Sequence, residues 1–176
     1  MSSSINSFKA AILKNKGLAH SNRFEVQITS IPGWTGETQS IKFLCESVNF
    51  PGKQITTMDY DNLGTKRPIK IPTGFIEDDV TMVFNLTNNY VIKKMFDSWM
   101  KKIVNVDSYK LSSDQTTYKK DIKITQLNQA DSSVYAIRLK KSYPISINSI
   151  DFDAAADSAI QKVSITFTHD GIDYNV

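Results

Sequence analysis

Apolar and polar residues alternate along much of the chain, in short runs that are typical of half-buried β-strands. The clearest run is Asp79–Leu86, where Val80, Met82, Phe84 and Leu86 fall on one side. Five further runs predict strands: Arg23–Thr29, Ile41–Val48, Lys119–Thr125, Val134–Ile147 and Gln161–Thr168. Strands with one apolar side need a second layer to cover it, so the pattern predicts a mainly β fold, an antiparallel β-sandwich or barrel.

The N-terminal segment has the spacing of a helix instead. We predict a short helix over Ser4–Lys16 that ends at Gly17, a residue suited to the position after a helix. Its apolar stripe consists of Ile5, Phe8, Ile12 and Leu13. A helix this short is marginal in water and needs a surface to pack on. Its own domain could supply that surface, and so could another copy of the chain, which we favour.

A second helix is predicted at about residues 88–104, with Asn88 or Asn89 as its cap. Lys101 and Lys102 fall in its last turn, where cations favour the negative end of the helix dipole. One side of this helix is apolar, through Val91, Ile92, Met95, Phe96, Trp99 and Ile103. Such a stripe predicts a packed helix that closes one face of the sandwich or barrel.

The stretch at about 49–77 interrupts the strand pattern with three prolines and three glycines. Two short alternating pieces, Gln54–Tyr60 and Arg67–Ile71, flank a turn near Asp61–Gly64. The segment is long for a loop, and it carries more apolar residues than an idle surface needs: Ile55, Met58, Tyr60, Leu63, Ile69 and Ile71. We interpret it as a hairpin-like arm that contacts a partner, with an ordinary edge hairpin as the alternative.

Length and composition fit one folded domain. The chain has 176 residues, of which 40% are hydrophobic, and a net charge of +3, which is too small to indicate a nucleic-acid-binding protein. No apolar run approaches the roughly 20 residues that a membrane helix requires. The first residues lack the pattern of a secretion signal, so we expect folding in a cytoplasm and no membrane contact.

Candidate chemistry is sparse, and we predict no enzyme, no cofactor and no catalytic or metal site. Cys45 lies in a strand-like run and is interpreted as a core residue, since a nucleophile would need His20 or His169 beside it. The acidic stretch at 77–79 is interpreted as a solvated turn, with a divalent-ion site as the alternative. Asp151, Asp153 and Asp157 lack the residues of a calcium loop, and the four Lys-Lys pairs are interpreted as solvated.

Several stretches, in their order and spacing, resemble the tail-tube family of contractile-tailed bacteriophages and related injection machines. The N-terminal part resembles its first helix and strands through Phe8–Ala11, Ser21–Ile28 and Phe43–Pro51. The middle resembles its strand and helix through Asp79–Asn85 and Met95–Trp99, with Phe96 and Trp99 spaced F-x-x-W. Its late strands resemble Tyr118–Lys120, Tyr143–Ile147, Ile150–Phe152 and Ile160–Thr168.

The resemblance implies a structural role. Residues 1–176 would form a single tail-tube domain, in six-membered rings that stack around a lumen through which phage DNA passes without sequence-specific binding. Its partners would be itself, the tail sheath, and the baseplate and tail-terminating proteins, in a virion tail assembled in the host cytoplasm. The expected subunit contacts are the apolar residues of the first helix and the arm. A baseplate protein that initiates the tube, and a monomeric β-sandwich binding module, are the alternatives.

Overall fold

The computed structural model describes residues 2–15, 17–60, 68–106, 108–152 and 160–174. In the described part the helices are α1 (Ser2–Lys14), α2 (Ser40–Leu44), α3 (Val91–Ile103) and α4 (Gln115–Tyr118). The strands are β1 (Phe24–Ile28), β2 (Cys45–Val48), β3 (Lys53–Tyr60), β4 (Ile69–Glu77), β5 (Val80–Asn85), β6 (Lys120–Leu127), β7 (Ser133–Ile147), β8 (Lys162–Thr168) and β9 (Gly171–Tyr174).

The body is a mostly antiparallel β fold in which one long strand serves two sheets. One sheet contains β1, β6, the first part of β7, and β9. The other contains β2, β5, β8 and the last part of β7. This arrangement agrees with the predicted β-sandwich, and it makes β7 the connection between the two layers.

The strand β7 changes sheets at a bulge. Lys141 has a positive φ of 50°, and its backbone N–H donates to the Asp121 carboxylate at 3.0 Å. The register with β6 shifts here, since Lys120 pairs with Ser142 whereas Ile122 pairs with Leu139. An extra residue in one strand bends it and increases its twist. The bulge therefore turns the chain from the first sheet toward the second.

The core contains buried residues of α3 and of both sheets. Ile92, Met95, Phe96 and Trp99 on α3 are fully buried, while Val91 and Ile103 are partly buried. The Phe96 ring lies 5.5 Å from that of Phe84 on β5 and 5.6 Å from that of Phe167 on β8, between ring centroids. The predicted packed helix and its orientation are thus confirmed.

Most strand predictions are confirmed to within two residues, but the second strand is not. Ile41–Leu44 belongs to α2, and strand pairing begins only at Cys45. Ile41 is buried and Phe43 is exposed, although both would share one side of a strand. A helical turn is enough to place the one fully buried side chain of this segment, Ile41, in the core. The apolar content of the run was therefore not evidence for a strand.

Three other details differ from the predictions. Neither asparagine caps α3, because the helix follows Tyr90, whose φ of 51° is left-handed and whose carbonyl accepts a hydrogen bond from the Lys94 N–H. The helix α4 was not predicted. The strand over 161–168 is followed by a further strand, β9, which pairs with β7.

Helix α1 begins at Ser2 and ends at Lys14, close to the predicted span, although Lys16 lies outside the described residues. Gly17 follows it with a left-handed φ of 100° and donates its N–H to the Ile12 carbonyl at 2.9 Å. Glycine adopts this conformation without steric cost, so Gly17 closes the segment after the helix as predicted, although α1 itself ends at Lys14 rather than Lys16.

Candidate subunit-contact surfaces

The arm is a separate two-stranded sheet formed by β3 and β4. Its strands pair antiparallel from Lys53 opposite Glu77 out to Tyr60 opposite Ile69. The predicted turn, and with it Leu63, lies outside the described residues. Strand β4 extends beyond the predicted end at Ile71 because a register shift between Thr56 and Thr57 accommodates Pro72 within the ladder.

Apolar residues of the arm face each other across its two strands and remain open to solvent. Met58 lies opposite Ile71, and Tyr60 lies opposite Ile69. All five described arm residues of the predicted contact set are between 41% and 64% exposed: Ile55, Met58, Tyr60, Ile69 and Ile71. The hydrophobic surface of this arm therefore has no cover within the described part of the chain, and a two-stranded hairpin alone is marginally stable in water.

Phe75 and Ile76, which were not predicted as contacts, are also more than half exposed. Phe75 lies opposite Ile55, at the base of the arm. Both residues follow Pro72, where the sequence predicted that the strand had ended. The adjacent apolar pair Phe75–Ile76 after Pro72 was the signal that could have located them.

The base of the arm is attached to β9 through one carboxylate. Glu77 Oε1 lies 3.4 Å from Lys53 Nζ and accepts a hydrogen bond from the Tyr174 hydroxyl at 3.2 Å. Lys53 Nζ also lies 4.0 Å from the centroid of the Phe75 ring. Burial and the nearby Glu77 charge raise the pKa of Tyr174, so the hydroxyl stays protonated and able to donate.

Helix α1 presents a second apolar surface. Ile5 and Phe8 are each about 60% exposed, Leu13 is more exposed still, and Ile12 is half-buried. The described residues of α1 include Lys9 and Lys14 but no carboxylate. The structure thus leaves the predicted stripe largely uncovered, as it does the arm.

Two strands end the first sheet. Among the described residues, β1 pairs only with β6, and β9 pairs only with β7. Helix α2 lies beside β1, where Lys42 Nζ is 2.9 Å from Glu25 Oε1 and, chiefly through this hydrogen bond, lowers the pKa of that carboxyl. Unpaired strand edges are surfaces on which another chain can add a strand.

The residues considered as catalytic, metal-binding or solvated candidates are buried or form ion pairs where the structure describes them. Burial raises the pKa of the half-buried Cys45 thiol to about 12, so the thiolate is scarce at neutral pH. Glu77 is engaged by Lys53 rather than solvated, and Lys119 is mostly buried in an ion pair with Asp170 at 2.9 Å. Asp153 and Asp157 lie outside the described residues.

Over the described ranges, no cluster of three or more His, Cys, Asp or Glu side chains could hold a metal ion. In the same part of the chain, every helix is too short or too polar to cross a membrane.

Comparisons with known proteins agree with this geometry. A family model described as "Phage tail tube protein" matches residues 19–175. No curated protein matches the chain significantly.

Solved structures with a similar fold come from contractile injection systems and a phage tail. A chain in the extended PVC sheath–tube complex is 22% identical, with a TM-score of 0.65 over 89% of this chain and 90% of that one. A chain in the anti-feeding prophage baseplate is 14% identical, with a TM-score of 0.65 over 89% and 95%. The SPP1 tail tube protein is 14% identical, with a TM-score of 0.50 over 90% and 79%.

Proposed function

The chain belongs to the phage tail tube protein family, and from this membership we propose that it assembles into six-membered rings that stack into a hollow tube. As a family member it is a structural subunit of a tube in the tail of a phage-like particle. We propose that residues 1–176 act as one tail-tube domain with no catalytic activity, assembled in the host cytoplasm.

The observation that carries this proposal is the uncovered apolar surface of the arm. Met58, Tyr60, Ile69 and Ile71 form two cross-strand pairs whose side chains are all more than 40% exposed. Burying apolar surface contributes about 25 cal/mol per Å² removed from water, so association of the arm with a neighbouring subunit is favourable. A second copy is the partner that every tube subunit meets.

The N-terminal helix supports the same proposal. Its stripe of Ile5, Phe8 and Leu13 is exposed, and a 13-residue helix is marginal by itself. We propose that α1 packs on the next ring in the stack, while the arm, including Leu63, contacts a neighbouring subunit. In a ring, each copy uses one surface to bind a different surface of its neighbour. Such head-to-tail contacts form a closed ring when the rotation from one copy to the next divides a full turn into equal parts.

The unpaired edges of the first sheet also support the proposed ring. Strands β1 and β9 each pair on one side within the described residues. In a closed ring, edges of neighbouring copies can lie together and form a continuous wall around a lumen. We propose that phage DNA passes through this lumen without sequence-specific binding, because strong phosphate contacts would hold the DNA in place.

The proposed partners are further copies of the chain, a tail sheath, and baseplate and tail-terminating proteins. Similar folds occur in a sheath–tube complex, a baseplate and a tube terminator, which supports partners of these kinds. A tube-initiating baseplate protein of the same family is the second candidate, because one of these similar folds comes from a baseplate. A monomeric binding module is the third alternative.

Electron microscopy of the purified protein tests the proposal. We expect rings or tubes, whereas a binding module would remain a monomer of 19.8 kDa in size-exclusion chromatography. The double variant Met58→Ser/Ile71→Ser should stay folded and lose assembly, while Val134→Ser, which changes an exposed apolar residue outside the arm, is the matched control. A protein that is monomeric at every concentration and with every partner would refute the proposal.

A further inference from the structure

The described part of the arm has two faces of different composition. Successive side chains of a strand point to opposite faces of a sheet, and directly opposed residues of an antiparallel pair share a face. Strand β3 carries no extra residue from Lys53 to Tyr60, so its alternation is unbroken. The charged face consists of Lys53, Ile55, Thr57 and Asp59 with their partners Glu77, Phe75, Pro72 and Lys70. The uncharged face consists of Gln54, Thr56, Met58 and Tyr60 with their partners Ile76, Gly74, Ile71 and Ile69.

A bulge in β4 produces this division. Thr56 pairs with Gly74 and Thr57 pairs with Pro72, so Thr73 is left as an extra residue between two paired ones. Its hydroxyl donates to the Thr56 carbonyl at 3.2 Å, which holds the bulge in place. One extra residue reverses the alternation of a strand relative to its partner. The apolar residues of β4 before the bulge and after it therefore lie on opposite faces.

The uncharged face is apolar along most of its described length. Met58 lies opposite Ile71 and Tyr60 lies opposite Ile69, while Ile76 lies nearer the base. All five side chains are more than 40% exposed. Charged residues are depleted at the centre of stable protein–protein interfaces. This face therefore has the composition of a surface that a partner buries.

The charged face carries an apolar pair of its own. Ile55 is 64% exposed, and Phe75, which lies opposite it, is 59% exposed. A pair of opposite charges lies on each side of these residues along the arm: Lys53 with Glu77, and Asp59 opposite Lys70. An apolar centre with polar groups around it is typical of an interface with a solvated rim. The second face is thus also suited to contact a partner.

The charge of the arm favours further copies of the chain as the partners. The whole chain has a net charge of +3, so two copies repel each other at long range. The described strands of the arm contain two lysines and two carboxylates, so neither face adds to this repulsion. In a head-to-tail assembly every copy has a neighbour on each side. An arm with two apolar faces can therefore be received between two copies.

We infer that the arm lies between two further copies of the chain, one on its uncharged face and a different one on its charged face. The two faces point in opposite directions, and the arm is a sheet of only two strands, so a single flat surface cannot cover both. This inference rests on the proposed function, which requires one neighbouring copy at the arm and does not specify a second. Each arm then joins three chains, its own and two others.

The test places photoreactive labels on the two faces. Tyr60→p-benzoylphenylalanine labels the uncharged face and Phe75→p-benzoylphenylalanine labels the charged face, and both keep an aromatic ring at an exposed position. A small fraction of singly or doubly labelled chain is assembled into tubes with an excess of unlabelled chain, so that labelled chains rarely meet. The control carries labels at Met58 and Tyr60, which share the uncharged face. If a label keeps the chain out of the tubes, Ile69 replaces Tyr60 and Ile55 replaces Phe75 as the labelled position.

Irradiated tubes are sedimented, dissolved in denaturant and separated by electrophoresis. We expect each single label to join two chains, the Tyr60/Phe75 double label to join three, and the Met58/Tyr60 control to join two. A single label without product would overturn the inference, because that face would have no partner. Only two joined chains from the Tyr60/Phe75 label would also overturn it and leave the proposed tube intact, because one copy would then cover both faces. Three joined chains from the control would overturn it as well, since the partners would not follow the faces. A wild-type protein that forms no tubes would instead refute the proposed function.

Discussion

Replacement of Trp99 by alanine tests the packing on which the fold depends. The side chain is fully buried, and its ring lies 6.1 Å from those of Phe96 and Phe167, between centroids. Its indole N–H donates to the Tyr118 carbonyl at 2.7 Å. The substitution therefore removes a large core side chain and one hydrogen bond between α3 and α4.

The expected cost follows from these two losses. Truncation of a buried tryptophan to alanine destabilises a protein by about 3–5 kcal/mol. Trp99→Phe keeps most of the apolar volume and loses the hydrogen bond, so it should cost about 1–3 kcal/mol, much of it from the unpaired Tyr118 carbonyl. Comparison of the stability lost in Trp99→Ala with that lost in Trp99→Phe separates the contribution of packing from that of the hydrogen bond.

Urea unfolding followed by circular dichroism measures both costs. With a slope of roughly 2 kcal/mol per M, Trp99→Ala should lower the midpoint by roughly 1.5–2.5 M. The measurement is made in the Met58→Ser/Ile71→Ser background, because assembly would add its own stabilisation. The half-buried Trp34 is the control, and Trp34→Ala should have a smaller effect. A midpoint unchanged by Trp99→Ala would refute the assigned position of α3 in the core.

Four further predictions follow from the surfaces described. Deletion of residues 59–66 should give a folded protein, by circular dichroism, that does not polymerise; tubes of normal length and stability would contradict the role of the arm. Residues 1–16 should be cleaved by protease in the monomer and protected in the tube, and equal protection in both would place α1 on its own domain. Tyr174→Phe should weaken assembly while lowering stability by only about 1 kcal/mol, since one exposed hydrogen bond to Glu77 is lost; unchanged assembly would show that this bond does not position the arm. Cys45 should react with a thiol reagent at pH 8 on the order of 10³-fold more slowly in folded than in unfolded protein, because its raised pKa of about 12 leaves little thiolate; equal rates would contradict its burial.

Much of the body could be predicted from the sequence because each central strand carries its own signal. In β5 and β8 the buried residues alternate without a break, and Val80, Met82, Val163 and Ile165 are all among them. One face of each strand packs on the core, so the period of two in the sequence is the period of burial. The same holds for α3, where a period of 3.6 sets the buried face.

Other elements depend on tertiary contacts that the local sequence does not encode. Strand β9 is only four residues long, Gly171–Tyr174, and it forms because the edge of β7 is available. The left-handed Tyr90 replaces the predicted asparagine cap, although tyrosine has no intrinsic preference for that conformation. Such choices are set by the surrounding fold rather than by propensity.

The candidate contact surfaces were likewise predicted from the sequence only in part. The arm was recognisable because its apolar residues exceed what a loop needs, but Phe75 was missed because Pro72 suggested a strand end. Phe75 is 59% exposed. Exposure of this kind becomes visible only once the fold defines what is buried.

The attachment of Glu77 to Tyr174 has a consequence for the timing of synthesis. The two residues are 97 positions apart, so the ribosome adds Tyr174 roughly 5–20 s after Glu77 at about 5–20 residues per second. Until then, the base of the arm lacks its hydrogen bond to β9. We therefore expect the base of the arm in a nascent chain to lack this attachment until Tyr174 has been added and β9 can pair with β7.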